Sequence, residues 1–203
     1  MKQNVEPFYK KTKLVEEKLN AIIKNGVSAS MLCLYAMDQI KFFETYVLGL
    51  KEEIIEETIA SSTIGNIVHD SLELIYKDYV GKRLKIEDLK EMKEKINTTV
   101  QNIIRNYVRE ENIYKGKNII IVETVKEYVK KVIELDKRTV EKGNGLKIIA
   151  VEREFENKIR ESGVEYKIKG KIDRIDELNG EVRVIDYKSG KKLRQRNITI
   201  KDS

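Results

Sequence analysis

The segment from Lys169 to Lys188 constrains the fold of this chain more than any other, because Asn179-Gly180 joins two strand patterns within it. Asn-Gly favours a two-residue type I′ turn, in which both central residues take φ > 0. A turn of this type pairs Leu178 with Glu181 and so fixes the register of the two strands. The sequence therefore predicts an antiparallel hairpin with a defined set of facing residues.

The predicted register places Asp173 opposite Asp186, with Cα atoms ~4.5–5.5 Å apart. Lys188 lies on the same face as Asp186, since side chains alternate along a strand. Facing carboxylates suit a hard divalent cation, beside which a lysine can orient or deprotonate a water. On the opposite face, Asp176 pairs favourably with Arg183. The repulsion between Asp173 and Asp186 is therefore an exception within the hairpin, and a conflict of this kind points to function. The alternative is a solvated face with scattered charges, in a chain that is 36% charged.

Three short motifs of glycine, acidic and basic residues occur in the chain, two in the hairpin and one upstream of it. The hairpin strands carry Gly170-Lys-Ile-Asp-Arg-Ile-Asp176 and Val184-Ile-Asp-Tyr-Lys-Ser-Gly190. A helical pattern upstream carries Gly65-Asn-Ile-Val-His69-Asp-Ser-Leu-Glu73. Together they resemble the active-site motifs of the PD-(D/E)XK nucleases, specifically those in the nuclease domain of RecB/AddB-type helicase-nucleases.

The resemblance implies a role for each matching residue. Lys188 would be the catalytic lysine, and Asp173 and Asp186 would be catalytic acids that bind Mg²⁺ or Mn²⁺. A lone histidine is by default a partly buried residue with a hydrogen-bond partner, whereas the resemblance makes His69 a metal ligand or a neighbour of the metal site. The implied ligands are His69, Asp173, Asp186 and the backbone carbonyl of Tyr187.

Two further acids are candidates for the same site. Glu73 lies one helical turn after His69, where it would orient the metal ligands. A second tight turn at Ser162-Gly163 would place Glu152 opposite Asp173 and add a third carboxylate. The alternative for Glu152 is a surface position or a lysine partner.

The helix and strand patterns of the chain predict an α/β fold with a helical N-terminal part. The resemblance implies that its core is restriction-endonuclease-like, made of a helix and an antiparallel three-stranded part of a mixed sheet. The N-terminal helical segment, residues 1–60, is expected to pack on the core, residues 61–203. The predicted helices span 6–24, 28 or 30 to 48, 62 or 63 to 79, 86–111 and 117–141, and the predicted strands span 147–159, 164–178 and a third strand ending at Ser189-Gly190. The apolar residues of the second helix are expected to be packed, namely Met31, Leu32, Tyr35, Phe42, Phe43, Tyr46 and Val47.

Composition excludes several classes of protein. The chain of 203 residues is 40% hydrophobic, without an apolar run of about 18 residues that could span a membrane and without a leader pattern. These features predict a cytoplasmic protein with no membrane association. The single cysteine, Cys33, excludes an internal disulfide and also the four-cysteine iron–sulfur cluster of many family members, so we expect Cys33 to be a buried apolar residue.

Basic residues concentrate near the C-terminal end. Seven Lys or Arg and two Asp lie between Arg183 and Ser203, in a chain of net charge +6. Such a segment beside a metal site predicts contact with DNA phosphates, and the alternative is a solvated terminus. The predicted contacts are Lys191, Lys192, Arg194 and Arg196.

The resemblance implies a metal-dependent deoxyribonuclease, an exonuclease by expectation, that forms the C-terminal module of a helicase-nuclease in double-strand-break repair. Its expected partners are DNA and a helicase region or subunit. In the family a Gln-x-x-x-Tyr helix and a further strand follow the hairpin, but Gln195 has no tyrosine four residues later. The core is therefore expected to lack its final helix and strand, with loss of activity as one consequence. The alternative function is a catalytically inactive DNA-binding or scaffolding module with the nuclease fold.

Overall fold

The computed structural model describes residues 12–50, 59–161 and 163–188. Within these ranges it contains seven α-helices, one π-helical turn and four strands, which confirms the α/β fold class. The elements are α1 Lys13–Asn25, β1 Val27–Ser28, α2 Ala29–Met37, α3 Gln39–Phe42, the π-helical turn Phe43–Val47, α4 Ser61–Lys77, α5 Ile86–Ile104, α6 Glu110–Ile113, α7 Lys117–Glu141, β2 Leu146–Glu161, β3 Val164–Leu178 and β4 Glu181–Ile185.

The chain divides into two compact units. The first consists of Met1–Ile55 and Glu154–Lys171, and the second consists of Glu56–Arg153 and Ile172–Ser203. Strands β2 and β3 therefore contribute residues to both units. The predicted domain boundary at residue 60 stays a prediction, as does the packing of the N-terminal segment on the core.

The sheet is mixed and is organised around β3. Its order is β1-β3-β2, and β4 also pairs with β3. β1 runs parallel to β3. β2 and β3 are joined by only two residues, a connection that allows only antiparallel pairing. Ser162 of the predicted second turn lies outside the described residues.

The Asn-Gly turn sets the register of β3 and β4 as the sequence predicts. Leu178 pairs with Glu181 in an antiparallel ladder. Asn179 and Gly180 have φ values of 54° and 93°, the positive values that a type I′ turn requires. β4 ends at Ile185, so the prediction that the third strand runs to residues 189–190 is wrong.

The core of the second unit forms between α4, α5, α7 and the first residues of β2. Each of these helices presents an apolar stripe at helical spacing, and burial of each large side chain stabilises the fold by roughly 1.5–3 kcal/mol. This packing anchors α4 and fixes the direction of its remaining faces. The buried residues include Ile67, Val68, Leu72 and Ile75 of α4, Leu89, Met92, Ile96 and Val100 of α5, and Val122, Val125, Val129 and Ile133 of α7.

The helix predicted to end at residue 48 is interrupted. Asp38 has φ −151° and ψ 90°, which ends α2, and its carboxylate accepts a hydrogen bond of 2.9 Å from Lys41 N and so caps α3. Asp is a strong N-cap residue, and this competing local hydrogen bond explains the break. Phe42 and Val47 are buried, as predicted.

The prediction that the apolar residues of α2 are packed is wrong. None of the residues of this helix is buried, and Leu32 and Tyr35 are about half exposed. Cys33 is likewise exposed, so the expectation of a buried cysteine is wrong. The α2 sequence is apolar around most of its circumference, a pattern that is typical of a fully buried helix and does not account for the exposure of α2.

Two other helices differ in their bounds from the prediction. α1 begins after Thr12, whose hydroxyl accepts a hydrogen bond from Val15 N, and residues 6–11 lie outside the described ranges. α5 ends at Ile104, where the carbonyl accepts from both Tyr107 N and Val108 N in a tight turn. In the part of the chain that the structure describes, no helix combines the length and the apolar character needed to cross a membrane.

Candidate functional site

His69 is the point at which α4 meets the hairpin. Its Nε2 lies 2.9 Å from the carbonyl oxygen of Tyr187. Its Nδ1 lies 3.3 Å from Asp173 Oδ1 and 3.6 Å from Glu152 Oε1. Both ring nitrogens therefore face oxygen acceptors, an arrangement that a protonated imidazole satisfies with two N–H donors.

The peptide group of Tyr187 is held from both sides. Tyr187 N donates a hydrogen bond of 2.6 Å to Asp173 Oδ2, while the Tyr187 carbonyl contacts His69. A side chain thus takes the place of a strand partner for this N–H group, which explains why β4 ends at Ile185. Two residues of the site, His69 and Asp173, therefore hold the segment after β4 in place.

Glu152 is the third member of the site. It lies in β2 with φ 46°, a value that is rare for residues other than glycine and is typical of a β-bulge that re-aims a side chain. Its side chain is only 8% exposed. One donor atom each from His69, Glu152 and Asp173 lies within 4.8 Å of the others. The structure therefore brings Glu152 beside His69 and Asp173, whereas the sequence predicted it only as an additional candidate.

Hydrogen bonding shifts the pKa values of the central pair in opposite directions. The hydrogen bond to Asp173 raises the pKa of His69 above its ordinary value, against the opposing effect of burial. Burial raises the pKa of Asp173, but the hydrogen bonds to His69 and Tyr187 N outweigh it and the pKa is lowered. The two carboxylates thus favour a positive charge at Nδ1, the position of the imidazole proton.

Asp186 and Lys188 form an exposed ion pair with each other. Lys188 Nζ donates a hydrogen bond of 2.7 Å to Asp186 Oδ1, and the two side chains are 65% and 59% exposed. Asp186 is one residue beyond the last pair of the ladder. Among the described residues the Asp186 carboxylate is not one of the clustered donors, so its role as a metal ligand stays a prediction.

The other predicted residues are placed as follows. Glu73 is half-buried, and its side chain makes no hydrogen bond or ion pair within the described ranges, so its orienting role stays a prediction. The predicted DNA contacts, Lys191, Lys192, Arg194 and Arg196, lie outside the described residues.

The donor set fits a divalent metal ion. Two carboxylates are ligands that Mg²⁺ and Mn²⁺ accept, and their two negative charges attract a cation, while an imidazole nitrogen is a ligand that transition metals take more readily than Mg²⁺. His69 would bind through Nδ1, because Nε2 faces the Tyr187 carbonyl. A hydrogen bond from Nε2–H to a backbone carbonyl is the usual way in which a metal-binding histidine is oriented.

Comparison with known proteins identifies the family. The sequence profile of the PD-(D/E)XK nuclease superfamily matches residues 26–202. The chain is 29% identical over 202 residues to an ATP-dependent helicase/deoxyribonuclease subunit from Alkaliphilus metalliredigens, covering 89% of this chain. Proteins of the same name from Alkaliphilus oremlandii and Clostridioides difficile are 28% identical, over 87% and 89% of this chain.

The chain spans only 17% of the length of each of these relatives. Because the profile covers well over half of the chain, and because the hairpin and histidine motifs fall within it, this protein belongs to the PD-(D/E)XK nuclease superfamily.

Proposed function

We propose that this chain is the nuclease module of a helicase-nuclease and that it hydrolyses DNA phosphodiesters with Mg²⁺ or Mn²⁺. Membership of the superfamily supports nuclease chemistry, and the name of the relatives supports DNA as the substrate. The observation that carries the proposal is the convergence of His69, Glu152 and Asp173 donors within 4.8 Å of one another. A helicase region or subunit is the proposed partner, in the repair of double-strand breaks.

The side chains would divide the work at the site. Glu152 and Asp173 would hold the metal ion by their carboxylates, and His69 would hold it by Nδ1. A divalent ion held there would polarise the scissile phosphate and lower the pKa of the attacking water. The Tyr187 peptide would keep His69 and Asp173 in position through its carbonyl and its N–H group.

Lys188 would act on the phosphate or on the attacking water. Its ammonium group pairs with Asp186 at the surface, and an exposed ion pair of this kind contributes only ~0–1 kcal/mol. An entering phosphate can therefore displace Asp186 from the lysine at small cost. The released Asp186 carboxylate would then be available to the metal ion, as the family motif implies, and Lys191, Lys192, Arg194 and Arg196 would bind phosphates of the same strand.

A catalytically inactive DNA-binding or scaffolding module is the second candidate function. The observation that favours it is the pairing of Asp186 with Lys188 at an exposed position outside the three-donor group. A module of this kind binds DNA with a strong dependence on salt concentration and no dependence on divalent metal.

A cleavage assay separates the two functions. Linear duplex and single-stranded DNA, labelled at either end, are incubated with the protein and Mg²⁺, Mn²⁺ or EDTA. The nuclease predicts metal-dependent cleavage that Asp173→Asn and Lys188→Ala abolish, with circular DNA resistant if the enzyme is an exonuclease. Glu177→Gln, on the same strand as Asp173, is the matched control. Cleavage that is equal in wild type and Asp173→Asn, or DNA binding without any cleavage, contradicts the proposal.

A further inference from the structure

A buried cluster of charged residues lies next to the site but takes no part in the chemistry proposed for it. Its centre is Arg174, which follows Asp173 in β3 and is 1% exposed. Asp176, two residues later on the same face of β3, is 0% exposed. Burial of charged groups to this degree is costly unless each is paired, so the cluster calls for a physical explanation.

Arg174 joins β3 to α7. Its two terminal nitrogens form a bidentate pair with Asp136 of α7, with NH1–Oδ2 2.6 Å and NH2–Oδ1 3.2 Å. The second nitrogen also bonds to Asp176. A planar guanidinium held at two carboxylates has a fixed position and a fixed orientation.

Arg174 also contacts α4, the helix that carries His69. The guanidinium lies 4.9 Å from the centre of the Tyr76 ring. The Tyr76 hydroxyl donates a hydrogen bond of 2.6 Å to Asp136 Oδ2, the same oxygen that NH1 of Arg174 contacts. Tyr76 follows His69 by two helical turns, so both residues lie on one side of α4.

Helix α4 therefore has two polar contacts with the strands of the site. At one level His69 contacts Asp173 and the Tyr187 peptide. Two turns later, Tyr76 contacts Arg174 and its partner Asp136. Arg174 and Asp173 are consecutive residues of one strand. The contact between Tyr76 and Arg174 therefore sets the distance between α4 and β3 at which His69 contacts Asp173.

Stability alone does not explain this cluster. Replacing a buried ion pair by apolar residues of similar size is often neutral or stabilising. Arg183 already pairs with Asp176 from the solvent side, through Nε–Oδ1 2.8 Å and NH2–Oδ2 3.1 Å. Among the described residues, the side-chain hydrogen bonds of Arg183 go to Asp176, whereas Arg174 also contacts Asp136 of α7 and Tyr76 of α4.

We propose that Arg174 is a positioning residue: fixed by Asp136 and stacked on Tyr76, it holds α4 at the distance from β3 that brings His69 against Asp173 and the Tyr187 peptide. The geometric role stands on these contacts, and its effect on cleavage rests on the proposed function. A support that fixes catalytic groups in this way matters for rate, because misplacement by about 1 Å can cost on the order of 100-fold.

The test removes the pair without leaving a buried charge. In Arg174→Met/Asp136→Leu both charges are lost together, while Asp176 keeps Arg183 as its partner. Arg183→Met is the matched control, since it removes an arginine whose side-chain hydrogen bonds among the described residues go to Asp176 and not to α4 or α7. Tyr76→Phe removes only one hydroxyl, and it replaces the double variant if thermal unfolding shows that the double variant does not fold.

The first readout is independent of nuclease activity. The chain has one histidine, so its imidazole signals in ¹H–¹⁵N NMR spectra belong to His69 without ambiguity. In the metal-free protein we expect the double variant and Tyr76→Phe to move these signals towards those of Asp173→Asn, which loses the contact directly. Arg183→Met should leave them at the wild-type positions.

The second readout is kinetic. We expect kcat for DNA cleavage to fall by roughly 10- to 100-fold in the folded double variant, with KM within about twofold of wild type. A folded double variant with wild-type His69 signals and wild-type kcat overturns the positioning role. If the wild-type protein itself cleaves no DNA, the proposed function fails, and the His69 signals alone then decide whether Arg174 positions the site.

Discussion

His69 and Tyr187, which are 118 residues apart in the chain, contact each other through His69 Nε2 and the Tyr187 carbonyl at 2.9 Å. This contact leaves Nδ1 directed at two carboxylates. The orientation of one imidazole ring therefore links helix α4, strand β3 and the segment after β4. The pKa of this imidazole should therefore change when any of these contacts is altered.

The His69 pKa is predicted to lie above 6.5 in the metal-free protein, because Asp173 accepts a hydrogen bond from the ring. Asp173→Asn should lower it. An NMR titration of the single histidine measures both values. A wild-type pKa at or below 6.5, or a value unchanged by Asp173→Asn, would show that the hydrogen bond does not form in solution.

The same pair makes stability depend on pH, with opposite signs for its two members. The raised pKa of His69 contributes stability that is fully present below pH 6.5 and is lost as pH rises through the folded-state pKa. The lowered pKa of Asp173 contributes stability that is present above pH 3.8 and is lost as pH falls through its folded-state pKa. Urea unfolding across this range should therefore show a smaller pH dependence in His69→Gln than in wild type.

Mn²⁺ affinity is predicted to increase as pH rises through the His69 pKa, because the metal ion replaces the proton at Nδ1. Glu152→Gln and Asp173→Asn should each weaken binding by about tenfold or more, since each removes a charged ligand. Calorimetric titration with Mn²⁺ measures this, and Glu177→Gln is the control. Wild-type affinity in Glu152→Gln would exclude Glu152 from the ligands.

Lys188→Ala is predicted to lower kcat by about 100-fold while leaving the Mn²⁺ affinity within about twofold of wild type, because Lys188 lies outside the three-donor group and would stabilise charge only during reaction. Single-turnover cleavage at saturating metal measures the chemical step. A loss of Mn²⁺ affinity equal to that of Asp173→Asn would instead place Lys188 within the metal site.

Asn179 is predicted to stabilise the hairpin through the hydrogen bonds of its side chain as well as through its backbone conformation in the turn. Its Oδ1 accepts a hydrogen bond of 2.8 Å from Gly145 N, and its Nδ2 donates one of 2.8 Å to Asn144 Oδ1. Asn179→Ala should lower the free energy of unfolding by about 1–3 kcal/mol, measured by urea denaturation. The exposed Glu181→Ala should change it by less than about 0.5 kcal/mol.

The hairpin register could be predicted because Asn179-Gly180 determines it locally. Glu152 could be named as a candidate from the Ser162-Gly163 turn, but the positive φ of its backbone could not be predicted, because no sequence pattern encodes that departure from the regular β conformation. The end of β4 depends on a hydrogen bond from Tyr187 N to a side chain 14 residues earlier, which strand propensity cannot foresee. The exposure of Leu32 and Tyr35 could not be predicted from periodicity either, because α2 has no periodic apolar face.

The positive φ of Glu152 restricts which residues can replace it. β-branched residues such as Val and Ile are strained in this conformation, whereas Asn, Asp and Gly adopt it more readily. Of these, only Asp also supplies a carboxylate. The proposed metal site therefore confines sequence changes at this position to Glu and Asp. A relative with Asn or Gly there is expected to keep the fold and to lack that metal site.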